Sequence, residues 1–508
     1  MKDLSTVSYH PVVDQLSKIL CERTRSDDPS FFRIMASYYI VKVASMMRCS
    51  IATPDRGKIP VSMYAINLAT SGHGKGHSMN IFEDSVIKAF RSRFLQSTFP
   101  EISTKNINNR AVKRANRFGS DPDEMKEQMT ADFEHMGPLL FSFDSGTPAA
   151  VKQMRDKLLM AGAGSMNLEI DEIGSNLIGQ TEILNAFLEL FDVGKLKQKL
   201  LKSTNDNKRL EEIQGKTPTN MLLFGTPNKL MDGGKTEEET ISFLEIGFAR
   251  RCIFGYSLKS RRSAAKTAEE IFKTLTSKTA DKYLQKVSHD METLADSLNF
   301  GITLTMQKPV ALELLRYRLD CEKRAEELPE HQDIQRAELE HRYFKAMKLA
   351  GGYAFIDKSH EILERHLWQA VKLVEDSGKA LHQLLNRERA HVKLAKYIAG
   401  VGEDVTHSDI AEDLPLYKGS SAAKAELMKY AIGWGYKNNV IIKSFETDGI
   451  EFFRGEALHE VNLKEINVAY STDVAVGYQN DVIPFNEIGT LTGASGYHWI
   501  NHHLGDIM

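Results

Sequence analysis

The chain has 508 residues, 42% of them hydrophobic and 26% charged, with a formal net charge of −3. That length has room for about three domains, and the balance is that of an ordinary globular protein rather than a disordered one. A near-neutral total excludes a chain that is basic over its whole surface, so nucleic-acid contact must come from local patches. Four cysteines, Cys21, Cys49, Cys252 and Cys321, lie far apart without CxxC spacing. They predict reduced packing residues in a cytosol-like compartment rather than a metal centre. No run approaches the ~18 apolar residues of a membrane span, and the first ten residues lack the charged-then-apolar order of a signal peptide. The expectation is a cytoplasmic protein with no membrane partner.

Residues 1–58 read as a helical region or collar. Val12, Val13, Leu16, Ile19 and Leu20 recur at helical spacing, Asp28-Pro29 breaks the chain, and Phe31 to Met47 forms a second, more apolar segment. Residues 59–260 alternate apolar strands with amphipathic helices, the pattern of an α/β core with a mostly parallel sheet flanked by helices.

Within that core, the strand-like run Met63 to Ala69 breaks into Thr70-Ser71-Gly72-His73-Gly74-Lys75-Gly76, and a helix is expected from about His77. Small residues before a helix leave backbone N–H groups free to face an anion, and one lysine neutralises it. The pattern G-x-x-x-x-G-K-[ST] is nearly met, with Ala69 in place of the first glycine and Gly76 in place of the magnesium-binding hydroxyl. Ser78 is the candidate substitute hydroxyl, ahead of Thr70 or Ser71. The predicted nucleotide-contacting set is Ser71, Gly72, His73, Gly74, Lys75, Gly76, His77 and Ser78, with Asn228 from a later loop.

A helix follows over Ile81 to Phe94, and a charged insertion over 100–136 reads chiefly as solvated. A short strand over Pro138 to Phe143 precedes Thr147-Pro148, a helix start with proline at the first position. Met166 to Glu172 is a strand delivering two carboxylates to its C-terminal end. ATP hydrolysis needs one carboxylate to hold hydrated magnesium and another to orient water, and Asp171 and Glu172 suit those roles in that order. Gly194 to Arg209 is a basic stretch in which Lys195, Lys197 and Lys199 alternate and Lys202 follows. These four lysines are the candidate DNA contacts, against the alternative of a solvated edge strand. The strand Asn220 to Gly225 ends at Thr226-Pro227-Asn228, where Thr226 and Asn228 are candidate γ-phosphate sensors. Arg250 and Arg251 precede a final apolar strand. Each suits an arginine finger, and equally a carboxylate pair inside the fold.

Residues 261–385 read as a linker and a helical lid, and residues 386–458 as a winged helix with a hairpin turn at Thr447-Asp448-Gly449. The tail, 459–508, is loop-rich; its His498, His502 and His503 read as packing or contact residues rather than metal ligands.

In this order the motifs resemble the P-loop ATPase core of phage and prophage replicative helicases, in the AAA+ and superfamily 3 neighbourhood. The residues carrying the resemblance are Ala69 to Lys75, Thr147-Pro148, Asp171-Glu172, the basic loop 194–209, Gly225-Thr226-Pro227 and Gly247 to Arg251. It implies an ATP-dependent DNA helicase using ATP and Mg2+, forming a ring, often a hexamer, on single-stranded DNA beside other replisome proteins. It also implies that Lys75 binds the β/γ-phosphates, Asp171 holds magnesium, Glu172 polarises water and Thr226 senses phosphate. Arg251, with Arg250 as its rival, would act as a finger in trans. The competing expectations are an AAA+ loader or initiator that hydrolyses ATP without unwinding, and a non-hydrolysing scaffold.

Overall fold

The fold is described by a computed structural model covering residues 2–135, 141–174, 181–196, 215–257 and 267–457. Among them ten strands are formed: β1 Ser50–Thr53, β2 Gly57–Pro60, β3 Tyr64–Ala69, β4 Met166–Ile173, β5 Thr219–Gly225, β6 Cys252–Ser257, β7 Thr303–Leu304, β8 Val405–Thr406, β9 Val440–Thr447 and β10 Ile450–Ala457. β3, β5 and β6 are buried at every position. Continuous apolar runs of this kind belong to parallel strands covered by helices on both faces. They join β4 in an all-parallel sheet of order β4-β5-β3-β6. The chain passes from β3 to β4 leaving a one-strand gap that β5 later fills. The C-terminal ends of β3, β4 and β5 therefore share one edge, where ligands of open α/β sheets sit. Of the strand expected over Pro138 to Phe143, the described part, residues 141–143, makes a parallel bridge from Phe143 to Leu168, and residues 136–140 lie outside the described residues.

Helix Ser30–Met46 has no free face, since 15 of its 17 residues are buried. It packs against β3, β5 and β6 on one side and against helix Asp333–Ile356 on another. The approach to Asp333–Ile356 needs bare backbone: a Cβ on Gly352 would lie 2.7 Å from Val41 Cγ2. One hydrophobic core consequently runs from Val13 through the sheet to Leu384. It unites the stretches read from sequence as collar, ATPase core and lid. A small sheet of order β2-β1-β7, unexpected from sequence, joins the first and third of these. The 100–136 insertion is a pair of helices, Phe99–Phe118 and Pro122–His135, with its own small core at Ile107, Ala111 and Met129.

Contact density divides the chain after Arg387. The second unit, taken by itself, comprises helices Ala390–Val401, His407–Asp413 and Ser421–Lys437 with an antiparallel sheet of order β8-β10-β9. Ser420 caps the third helix, accepting from the Ala423 N–H at 3.3 Å. Asp448 and Gly449 both have positive φ, as a two-residue hairpin turn requires. Among the described residues no helix is long and apolar enough to cross a membrane. The tail lies outside the described residues.

Lys348 reports on the shared core. Its ammonium is buried between the rings of Phe191 and Phe344 and donates to Ser62 Oγ at 2.8 Å and to the Phe191 carbonyl. Burial pushes its pKa down to about 7; Asp192 opposes this and Arg251 and Arg56 add to it. Between that value and 10.5 the unfolded chain holds a proton that the folded chain lacks, so stability rises with pH over this window. Urea midpoints measured from pH 7 to pH 9 should rise more steeply for the native chain than for Lys348→Met.

Candidate functional site

The cradle is built where β3 ends. Gly72 and Gly74 adopt positive φ, 81° and 87°, which only glycine takes without strain. Helix Lys75–Ile81 starts directly after Gly74. Gly74 also needs its bare Cα, because a Cβ there would lie 2.4 Å from Thr24 Cγ2. Ser71, Gly72, Gly76 and His77 are exposed along the cradle. His73 departs from the phosphate-facing role. Its N–H closes the turn onto the Thr70 carbonyl at 3.3 Å, and its ring is buried, stacked on Phe32 at 5.4 Å and edge-on to Phe31 at 5.0 Å. Burial lowers the His73 pKa; Asp28 opposes this and Lys75 reinforces it. Ser78 is fully buried, and its hydroxyl, like that of Thr70, has no partner among the described residues. At Gly76 the direction a side chain would take is open, with nothing within 4 Å.

Across the sheet edge, β4 delivers its carboxylates through an irregularity. Its register against β5 shifts between Ile170 and Ile173, so Asp171 and Glu172 sit in a bulge, exposed beyond an otherwise buried strand. Bulges re-aim side chains in this way. Lys75 Nζ donates to Glu172 Oε2 at 2.9 Å, closing cradle against carboxylate. Lys229, on the turn of helix after β5, lies 3.7 Å from Glu172 Oε1. Burial by itself would raise the Glu172 pKa. The Lys75 hydrogen bond and charge, then the Thr226 hydroxyl and Lys229, hold it below the usual carboxylate range. A carboxylate so placed can orient a water at the sheet edge.

Beside this pair lies a cavity of about 730 Å³, lined by Asp171 and Glu172 and by further acids, Glu83, Asp84, Asp144 and Glu169. Glu83 and Asp84 come from a π turn, Phe82–Val86, that interrupts the helix after the cradle. Two cations restrain the inner wall. Arg91 pairs with Glu83 at 2.7 Å, and Lys42, fully buried, pairs with Glu169 at 2.6 Å and Glu83 at 3.3 Å. Tyr38 donates to the same Glu169 oxygen at 2.9 Å. Sequence reading missed this group. The available signal was one lysine in an apolar helix, Ile40-Val41-Lys42-Val43, and one glutamate in an apolar strand, Leu168-Glu169-Ile170. A lone charge in each demands a partner.

The remaining candidates divide. Thr226 and Asn228 both follow β5 at the shared edge. Arg251 pairs within the fold. It is 8% exposed, donates to the Gly247 carbonyl at 3.2 Å and pairs with Asp192 at 3.4 Å. This is the in-fold pairing weighed against the finger role. Arg250 is part-buried beside it, with its pKa lowered by burial and by Arg251 against the pull of Asp192. Lys195 is exposed, whereas Lys197, Lys199 and Lys202 lie outside the described residues.

The residues present fit a magnesium nucleotide. The cradle has open glycine backbone, one lysine and orphaned hydroxyls, and a carboxylate faces it. Among the described residues no cluster of three metal-binding side chains occurs, and magnesium at such sites takes one or two carboxylates with phosphate and water instead. Removing one partner of a buried ion pair costs about 3–5 kcal/mol. Lys42→Met should therefore lower stability by about that much in chemical denaturation, and adding Glu169→Gln should recover most of the loss. A comparison with models of known protein families finds no match, and a search of curated proteins finds none either.

Proposed function

We propose that the chain is an ATP hydrolase that moves along or unwinds single-stranded DNA in a replication system, acting as a ring of identical copies. The observation that carries the reading is the Lys75–Glu172 contact, which joins a glycine-rich cradle to a carboxylate strand across the C-terminal edge of a parallel sheet. In this reading Lys75 leaves Glu172 to neutralise the β/γ-phosphates, as the cradle amides surround them. Asp171 would hold a hydrated magnesium ion, which would supply charge to offset that of the transferring phosphoryl group. Glu172, once released, orients the attacking water, and Thr226 marks the presence of the γ-phosphate. Lys195 opens the basic stretch assigned to DNA.

The second unit supports contact with a nucleic acid through its third helix. That helix exposes Lys429, Tyr430, Tyr436 and Lys437, whereas the β9–β10 tip exposes Glu446, Asp448 and Glu451. Helix order and hairpin agree with a winged helix. One observation favours the rival reading of a non-hydrolysing scaffold: Gly76 has no hydroxyl, and the buried Ser78 is not among the residues lining the acidic cavity.

Steady-state ATPase assays with and without single-stranded DNA decide between these. Turnover stimulated by DNA and lost in Lys75→Ala is expected; nucleotide binding without phosphate release would establish the scaffold, and turnover without strand displacement the loader. The open space at Gly76 allows a sharper test. Gly76→Ser should fold normally and lower the magnesium concentration needed for half-maximal turnover several-fold, since it restores the coordinating hydroxyl.

A further inference from the structure

We infer that Lys229 is a catalytic residue acting in cis, supplying the positive charge on the γ-phosphate that the motif order assigned to an arginine from a neighbouring copy. The inference rests on the ATPase reading and extends it. Four observations converge. Glu172 is flanked by two ammonium groups, Lys75 at 2.9 Å and Lys229 at 3.7 Å. The two ammonium groups share one carboxylate at the place where phosphate is expected, so both are within reach of an arriving anion. Lys229 is carried by Pro227–Leu230, the turn of helix that begins at Thr226, so the sensor strand brings it to the edge that also holds the cradle. Its side chain is 70% exposed, so it is free to swing from Glu172 to an arriving anion. Of the two arginines expected to do this work, Arg251 is buried on Asp192, and Arg250 stands part-buried beside it.

The step balances without a further reactant. Water oriented by Glu172 forms a bond from its oxygen to the γ-phosphorus, and the bond from that phosphorus to the β–γ bridging oxygen breaks. The electron pair leaves on ADP. One water proton stays on the released phosphate and the other passes to solvent. Negative charge grows on the bridging and equatorial oxygens as this happens, and an ammonium within reach stabilises it. A lysine serves as a point charge here, without the bidentate geometry of arginine.

The test uses the full chain with saturating single-stranded DNA. Removing one such donor lowers turnover by about 100-fold, so Lys229→Ala should lose kcat on that order while its affinity for a fluorescent ATP analogue stays within about twofold of the native chain. Lys229→Arg should recover much of kcat, which a structural role would not require. Mixing Lys229→Ala with Lys75→Ala chains separates cis from trans. If Lys229 acts in its own site, mixed assemblies stay inactive; if it acts on a neighbour, mixing restores turnover and overturns the assignment. Native kcat in Lys229→Ala would also overturn it while leaving the ATPase reading intact. Absence of turnover in the native chain would defeat both.

Discussion

A single buried ammonium ties the candidate site to the rest of the molecule. Lys42 sits inside the protein between Glu169 of β4 and Glu83 of the helix after the cradle. An unpaired charge could not remain there, so the three elements must meet in one geometry. Helix Ser30–Met46, which carries Lys42, also carries Phe31 and Phe32 at its other end, where they enclose His73 of the cradle. Eleven residues separate these contacts, roughly 16 Å along a helix at ~1.5 Å per residue. One rigid element thus sets the spacing between the turn expected to hold phosphate and the strand expected to hold metal and water. Helix Ser30–Met46, within the stretch read from sequence as a helical region or collar, is packed inside the main core.

That helix explains why the site was partly legible and its support was not. The cradle, the β4 carboxylates and the Thr147-Pro148 helix start are local patterns, and each was readable from adjacent residues. Thr147 does cap its helix, accepting from the Ala150 N–H at 3.2 Å. The turn at Asp448-Gly449 was legible for the same reason. In contrast, the Lys42–Glu169 contact joins residues 127 apart, and nothing in either neighbourhood names the other. β1 and β2 are four residues each, too short for alternation to register, and β7 has two. The π turn at Phe82–Val86 shifts the helix by one residue, which periodicity reads as an unbroken helix. The Arg251 contact joins it to Asp192, 59 residues away, which neither neighbourhood announces.

Charge at the site is arranged as a competition. Glu172 holds two lysines at one sheet edge, and the acids behind it are balanced in part by Arg91 and Lys42. A polyphosphate entering the cradle would take the lysines from Glu172 and free that carboxylate for water. In the proposed ATPase that ion pair would become the source of both phosphate-neutralising charge and a carboxylate to orient the nucleophile. In that proposal the salt bridge would lower apparent nucleotide affinity, because the ligand must displace a partner before it gains one. The orphaned Thr70 and Ser78 hydroxyls act in the opposite direction, since buried unpaired groups favour a ligand or water that satisfies them.

The most direct measurement is amide hydrogen exchange of the full chain with and without saturating ATP and magnesium, followed over residues 70–80 and 166–173. If the cradle and the β4 carboxylates hold a nucleotide, exchange slows in both segments together. Unchanged exchange in both at saturating nucleotide would contradict an ATP site at this edge of the sheet.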